Sequence, residues 1–130
     1  MNVKNIKLWI AALRSGKYRQ GQSFLTQKDP DSGKIKHCCL GIATLCHIRT
    51  CPKDVKYEKF FTEDCHMSGT NVRYYYNVKD KNDPETAVLL DITREWLGIT
   101  NDLEQELINM NDDGKTFREI ADYLEQKTNQ

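Results

Sequence analysis

The chain has 130 residues, of which 38% are hydrophobic and 29% are charged. This length and composition fit one globular domain over residues 1–130, which needs neither a metal nor a disulfide framework to fold. They exclude a membrane-spanning helix, because no apolar run approaches the ~20 residues that cross a bilayer.

The net charge of zero conceals an uneven distribution along the chain. Residues 1–60 contain 12 Lys/Arg and 4 Asp/Glu, whereas residues 61–130 contain 7 Lys/Arg and 15 Asp/Glu. A basic half attracts phosphates, nucleotides or acidic protein surfaces, unless the two halves simply face each other within the fold. A domain that binds double-stranded DNA is usually basic overall, so we do not expect that partner.

The N-terminus lacks the apolar stretch and the small-residue cleavage site of a secretory signal peptide. We therefore expect an intracellular protein. In that compartment its five cysteines are thiols rather than disulfides.

The first predicted element is a helix from Lys4 to Ser15. Asn2 or Asn5 is a suitable N-cap, and Gly16 is placed to end the helix in a left-handed conformation. Apolar residues recur at the helical spacing on one face, at Ile6, Trp9, Ile10 and Leu13.

The next segment is predicted to be extended from Lys17 to Leu25. A turn at residues 29–33 and a second strand from Lys34 to His37 then complete a hairpin. This second strand leads into the adjacent cysteines Cys38 and Cys39. A small apolar helix over 39–48 follows, and we expect it to be buried at the centre of the fold.

The region from 49 to 86 is predicted to be an irregular loop containing one strand at 72–78, where β-branched and aromatic residues dominate. Residues 80–84 form a second turn pattern. The sequence therefore predicts an α+β fold with an N-terminal helix, a small antiparallel sheet, a buried central helix and a C-terminal helical cluster.

The C-terminal cluster is predicted to contain three short helices. The first spans 91–97 and ends at Gly98, and the second has Asn101 as its N-cap with Glu104 as the reciprocal acid. The third begins with a capping box of Thr116 and Glu119.

The cysteine pair is a candidate for nucleophilic chemistry. Cys38 and Cys39 lie at a predicted helix N-terminus, which helps to lower a thiol pKa. A base is also needed, and the chain offers His37, His47 and His66. No spacing typical of a known cysteine hydrolase is present, and free cysteines are often small core residues, so we favour a packing role.

Zinc binding is a second alternative, because eight His and Cys residues occur between positions 37 and 66. No Cys-x-x-Cys pair is present, and four residues separate Cys46 from Cys51. Structural zinc sites use tighter paired spacings. We therefore expect no metal and no cofactor. The eight residues considered as zinc ligands are His37, Cys38, Cys39, Cys46, His47, Cys51, Cys65 and His66.

A basic segment before the cysteine pair is the candidate ligand-binding element, and it consists of Arg14, Lys17, Tyr18, Arg19 and Gln20. In this interpretation the arginines bind a phosphate, the tyrosine stacks on a base and the glutamine reads a base or ribose edge. The alternative is a helix end and a turn with solvated charges. No phosphate-binding glycine motif is present.

Four short blocks together resemble a family of small uncharacterised proteins encoded by tailed bacteriophages. The blocks are W-x-x-A-L-R-S-G-x-Y-x-Q-G at 9–21, C-C-L-G-I at 38–42, R-E-W-L-G-I at 94–99 and N-D-x-G-x-x-F-x-E-I-A-D at 111–122. The resemblance implies a phage gene product made in the cytoplasm of an infected bacterium. It implies no particular activity.

Small phage proteins of this kind are often accessory factors, and some antagonise host defence by sequestering nucleotide signals. By this analogy we expect a non-enzymatic phage accessory protein that binds a small anionic, nucleotide-type ligand or a host defence protein. The alternative is a hydrolase or transferase that uses Cys38 or Cys39 as its nucleophile. Self-association is left open.

Overall fold

The computed structural model describes residues 1–29, 32–63, 70–78 and 88–129, with only the backbone of 56–63 and 70–78. The helices in this part of the chain are α1 (Val3–Arg14), α2 (Cys39–Thr50), α3 (Asp91–Leu97), α4 (Asn101–Asp112) and α5 (Phe117–Thr128). The strands are β1 (Arg19–Gln20), β2 (Thr26–Lys28), β3 (Ile35–His37), β4 (Val55–Glu63) and β5 (Thr70–Val78). None of the described helices is long and apolar enough to cross a membrane.

The described strands form one sheet in the order β1-β3-β2-β5-β4. A hairpin of β2 and β3 is present, with Thr26 opposite His37. Its second strand lies where it was predicted, but its first strand is Thr26–Lys28, and the predicted extended segment at 17–25 contains only the short strand β1. All pairings are antiparallel except that of β1 with β3, which is parallel and sets Gln20 beside His37. The structure confirms the α+β class, and it corrects the expectation of a purely antiparallel sheet.

The largest difference from the sequence prediction is β4. We predicted an irregular loop before the strand at 72–78, but Val55–Glu63 is a strand that pairs with β5 from Val55 opposite Val78 to Glu63 opposite Thr70. Four of the nine residues of β4 are charged and only Val55 is aliphatic, so no aliphatic run marks it in the sequence. The predicted turn at 80–84 lies outside the described residues.

The core lies between α1, α2 and the C-terminal helices. The α1 face predicted from the sequence is buried, and Ile6 and Trp9 are completely inaccessible. The Trp9 indole Nε1 donates a hydrogen bond of 2.9 Å to the carbonyl oxygen of Cys39. This bond satisfies the polar edge of the indole and ties α1 to the start of α2.

The helix ends follow the predicted capping chemistry, with one correction. Asn2 caps α1, Gly16 adopts a φ of +72°, and Thr116 with Glu119 forms the capping box of α5. The prediction that Asn101 caps α4 is wrong, because Thr100 accepts the hydrogen bond from the Leu103 amide.

The carboxylate expected to complete the α4 cap has a different role. Glu104 accepts hydrogen bonds from Arg94 Nε at 2.7 Å and from the Leu89 amide at 2.8 Å. The buried acid of α4 therefore fixes α3 and the segment that precedes it.

Candidate functional site

The cysteine pair occupies the buried N-terminus of α2. Cys38 is the N-cap residue, and its amide donates to the Leu25 carbonyl at 3.2 Å. Burial raises the pKa of the Cys38 thiol to about 11 and raises that of Cys39 well above its usual value. A thiolate is disfavoured at both positions, so the environment opposes the nucleophile hypothesis.

The described histidines have partners other than thiols. His37 Nδ1 lies 2.9 Å from the Thr26 hydroxyl, and its ring meets the Tyr18 ring edge-on with centroids 5.5 Å apart. Burial lowers the pKa of His37 to about 4. His47 is completely buried and contacts Thr93 and Asp54. His66 lies outside the described residues.

Three of the four sequence blocks, at 9–21, 38–42 and 111–122, meet at one buried amide, Asn111, which is 1% exposed. Its Oδ1 accepts from the Cys39 amide at 3.1 Å and from Gln20 Nε2 at 3.0 Å. Its Nδ2 donates to the Gly21 carbonyl at 2.8 Å. Asn111 therefore joins the basic segment, the cysteine pair and α4 through hydrogen bonds within the protein.

Gln20, which we predicted to contact ligand, uses its amide in the same network. Its Nε2 also donates to the Lys115 carbonyl at 2.6 Å, and its Oε1 accepts from the Phe117 amide at 3.1 Å. The second bond satisfies an amide in the first turn of α5. The Gln20 amide is thus engaged in joining β1 to α5.

Arg14 is also engaged by protein groups. Its Nη2 lies 2.7 Å from an Asp122 carboxylate oxygen and 2.8 Å from a Glu125 oxygen. Hydrogen bonds to Glu125 and Asp122 raise the pKa of the guanidinium, and the same arginine lowers the pKa of Glu125. Its charge is therefore directed towards α5. Arg19 is exposed on β1.

Two residues of the predicted set, Lys17 and Tyr18, line a cavity of about 240 Å³ between α1 and α2. Arg49, in the last turn of α2, also lines this cavity, and its Nη2 donates a 2.9 Å hydrogen bond to the Tyr18 hydroxyl. This hydrogen bond to Tyr18 raises the pKa of the Arg49 guanidinium. The remaining lining residues are Leu8, Ala11, Ala12, Ser15, Cys46 and Thr50.

The cations of this cavity differ from Arg14 in their partners. Within the described part of the chain, neither Lys17 nor Arg49 forms an ion pair with a carboxylate. The floor is largely apolar and includes Cys46, whose thiol pKa is raised by burial. We refer to this cavity, with Lys17, Tyr18 and Arg49 as its polar residues, as the cationic pocket.

The same end of α2 also brings together three possible metal ligands. His47, Cys51 and Asp54 each direct one ligand atom into a group whose members all lie within 4.8 Å of one another. His47 Nε2 is 3.2 Å from Asp54 Oδ2. Burial lowers the pKa of His47, while Asp54 opposes that shift.

Sequence reasoning missed several of these residues. Arg49 is separated from Tyr18 by 31 positions, and Asn111 from Gln20 by 91, so no local pattern links them. Asp54 was missed because only histidines and cysteines were considered as zinc ligands. Two residues of the predicted basic segment, Lys17 and Tyr18, do line the cationic pocket.

Comparison with known proteins places the chain in a family. No curated protein and no solved structure matches it. A family model does match, over residues 1–128. Because this match covers nearly the whole chain, the protein belongs to the family described as Domain of unknown function (DUF8296).

Proposed function

We propose that the protein binds a small anionic ligand of the phosphate or nucleotide type in the cationic pocket. The observation that carries this proposal is the pair of cations, Lys17 and Arg49, which line one cavity without a carboxylate partner among the described residues. Arg14 and Arg94, by contrast, are held by acidic side chains. An anion would supply the missing counter-charge.

The three polar residues have distinct roles in this proposal. Arg49 donates charge-assisted hydrogen bonds to a phosphate oxygen, for which its planar guanidinium is well suited. Lys17 adds a second, more mobile positive charge. Tyr18 positions the guanidinium through its hydroxyl and offers a ring face or edge to a flat ligand group.

The size and lining of the pocket limit the ligand. A volume of about 240 Å³ is below the ~300–1,000 Å³ typical of pockets for drug-sized molecules. The apolar floor suits a ring or a sugar face, while the cations suit a phosphate. We therefore infer a ligand of mononucleotide size, or one such part of a larger ligand.

The biological role that we propose rests on the resemblance to phage proteins. A phage accessory protein in the cytoplasm of an infected bacterium would antagonise host defence by sequestering a nucleotide-type signal in this pocket. Binding alone is sufficient for that role, and no catalytic group is required. A host defence protein is the alternative partner.

Binding of adenosine 5′-monophosphate and of inorganic phosphate, measured by calorimetry, tests the proposal. We expect Lys17→Ala with Arg49→Ala to weaken binding at least tenfold and to leave the melting temperature nearly unchanged. Lys4→Ala is the matched control, because Lys4 is an exposed cation on α1 outside the pocket. Equal binding by the wild type and the double variant would contradict the proposal.

Salt dependence provides a second test of the same pocket. Raising the ionic strength from about 0.1 M to about 1 M shortens the Debye length from ~10 Å to ~3 Å. Affinity for the monophosphate should therefore fall, and the fall should be smaller in the Arg49→Ala variant. An affinity independent of salt would be inconsistent with recognition by Lys17 and Arg49.

Alkylation kinetics test the alternative enzyme. Peptide mapping after iodoacetamide treatment near neutral pH should show Cys38 and Cys39 modified only at the rate of unfolding, because both thiols are buried with raised pKa values. Rapid modification of either cysteine in the folded protein would favour a cysteine nucleophile over a simple binding protein.

A further inference from the structure

A compact group of three chemically different ligands lies at the C-terminal end of α2. The ligand atoms of His47, Cys51 and Asp54 are all within 4.8 Å of one another. The closest recorded pair is His47 Nε2 and Asp54 Oδ2, at 3.2 Å. A nitrogen, a sulfur and a carboxylate oxygen thus converge on one point without a ligand from a distant element.

The backbone explains why these residues converge. The Cys51 amide ends the helix by donating to the His47 carbonyl at 2.7 Å, and the Asp54 amide donates to the Cys51 carbonyl at 3.0 Å. The chain therefore turns back after α2, and Asp54 returns to the level of His47. The helix end and the turn together bring the three side chains close to one another.

The imidazole is held on its other edge as well. His47 Nδ1 lies 2.9 Å from the Thr93 hydroxyl, and the ring stacks on Trp96 with centroids 4.7 Å apart and an interplanar angle of 12°. In metal sites the non-ligating nitrogen of histidine usually has such a partner, which fixes the ring and its tautomer. With Nδ1–H donating to Thr93, the Nε2 lone pair faces Cys51 and Asp54.

From this arrangement we propose that His47, Cys51 and Asp54 bind a divalent zinc-type metal ion. Mixed nitrogen, sulfur and oxygen ligands are typical of Zn²⁺, whereas Ca²⁺ and Mg²⁺ select oxygen ligands. Tetrahedral bonds of ~2.0–2.3 Å place ligand atoms roughly 3.3–3.6 Å apart. The observed group needs only small side-chain movements to reach that spacing.

The site would be open on one side. His47 is completely buried, but the Asp54 side chain is 41% exposed and Cys51 is half-buried. Three protein ligands with a fourth, solvent-facing position are characteristic of an exchangeable or reactive zinc site rather than a closed structural one. This site is separate from the cationic pocket, whose lining contains none of the three ligands.

The proposal replaces the expectation of no metal derived from the sequence. That expectation depended on the absence of paired cysteine spacings, and it did not consider a carboxylate placed by a helix-ending turn. The simplest competing explanation is that His47 and Asp54 form an ordinary hydrogen bond. Cys51 distinguishes these two explanations, because its thiol binds the ion in a metal site but has no part in a His47–Asp54 hydrogen bond.

Titration of the reduced full-length protein with Co²⁺ tests the site, since a cobalt–thiolate bond produces a near-ultraviolet charge-transfer band. We expect one equivalent of Co²⁺ to give this band in the wild type and Zn²⁺ to displace the cobalt. Cys51→Ser should abolish the band, and Asp54→Asn should weaken Zn²⁺ binding at least tenfold in competition with a chromogenic chelator.

Cys46→Ser is the matched control, because Cys46 lies on the same helix but lines the cationic pocket. This variant should retain the cobalt band and the wild-type affinity for zinc. Absence of the band in the wild type, or its persistence in a folded Cys51→Ser protein, would overturn the proposal. Circular dichroism establishes that each variant is folded, and Asp54→Asn provides an independent test if Cys51→Ser does not fold.

Discussion

The two ends of α2 contain cysteines in opposite environments. At the N-terminus, Cys38 and Cys39 are buried, and hydrogen bonds hold their amides to Leu25 and Asn111. At the C-terminus, Cys51 is half-buried beside His47. The end that looks most reactive in the sequence is therefore buried, and the less conspicuous end is the more exposed of the two.

The comparison shows that desolvation outweighs the helix dipole at the buried end. A helix N-terminus favours a thiolate, but full burial shifts a pKa by up to ~3–5 units in the other direction. With the pKa of Cys38 raised to about 11, the thiol form predominates at pH 7. Position on a helix therefore predicts reactivity only when solvent exposure is also known.

The largest effect is expected from Gly41→Ala at the buried end. A Cβ at this position would lie 1.8 Å from the Leu25 carbonyl oxygen, which is backbone and has no rotamer to change. Separation of α2 from Leu25, which immediately precedes β2, would also break the Cys38–Leu25 hydrogen bond. We expect loss of the folded state, measured by circular dichroism. Helix propensity cannot explain such a loss, because alanine is more favourable than glycine in a helix interior by about 1 kcal/mol.

The second largest effect is expected at Asn111. Asn111→Ala leaves the Cys39 amide and the Gly21 carbonyl without their partner, and should lower the free energy of unfolding by about 2–4 kcal/mol. Asn111→Asp should also destabilise, because a second oxygen would then face the Gly21 carbonyl. Urea unfolding measures the free energy of unfolding of both Asn111 variants. The exposed Asn109→Ala variant on the same helix should change stability by less than about 0.5 kcal/mol, and an equal loss there would argue against the network.

A smaller difference is expected between the thiols themselves. Cys39→Ala removes a completely buried sulfur, which donates to the Leu107 carbonyl at 3.6 Å, and should cost about 1 kcal/mol. Cys51→Ala, at the more exposed end, should change the stability of the metal-free protein by less than about 0.5 kcal/mol. The two values come from urea unfolding in the presence of a chelator. Equal costs would remove the proposed contrast between the ends of α2.

An effect of similar size concerns pH. His37 precedes the buried end, and its pKa is lowered from 6.5 to about 4, so the unfolded chain binds more protons than the folded protein between these values. Stability from this group is complete above pH 6.5 and is lost as the pH falls towards 4. Because the ring is only half-buried, we expect the free energy of unfolding to fall by about 1 kcal/mol as the pH is lowered from 7 to 5.

The matched variant for this pH effect is His37→Asn, which retains a hydrogen-bonding side chain but does not titrate. Its free energy of unfolding should depend less on pH over the same interval, with the difference attributable to His37. Identical pH profiles for the variant and the wild type would show that other groups, such as His47, control the acid sensitivity.

Local patterns predicted local structure well. The apolar face of α1, the Asn2 cap and the Thr116–Glu119 capping box depend on residues three or four positions apart, and all are present. The hairpin of β2 and β3 is also a short-range feature, although its first strand begins at Thr26, just beyond the predicted extended segment at 17–25. Each of these elements is specified by interactions between near neighbours in the chain.

The candidate sites were less predictable because they depend on distant pairs. Arg49 reaches Tyr18 only after α1 and α2 have packed together, and Gln20 was interpreted as a ligand contact because its partner, Asn111, is 91 positions away. Strand β4 was missed because β5 supplies its pairing and the sequence supplies little hydrophobic pattern. Such features become visible only in three dimensions.

The position of Asn111 has a consequence for folding during synthesis. The Cys39 amide and the Gly21 carbonyl depend on a side chain that leaves the ribosome 72 and 90 residues later, respectively. Until then, α1, β1 and the start of α2 have incomplete polar contacts, and a nascent chain ending before α4 has exposed core surface. The protein should therefore complete its fold only after synthesis of α4, so that premature termination yields fragments open to proteolysis rather than a smaller stable domain.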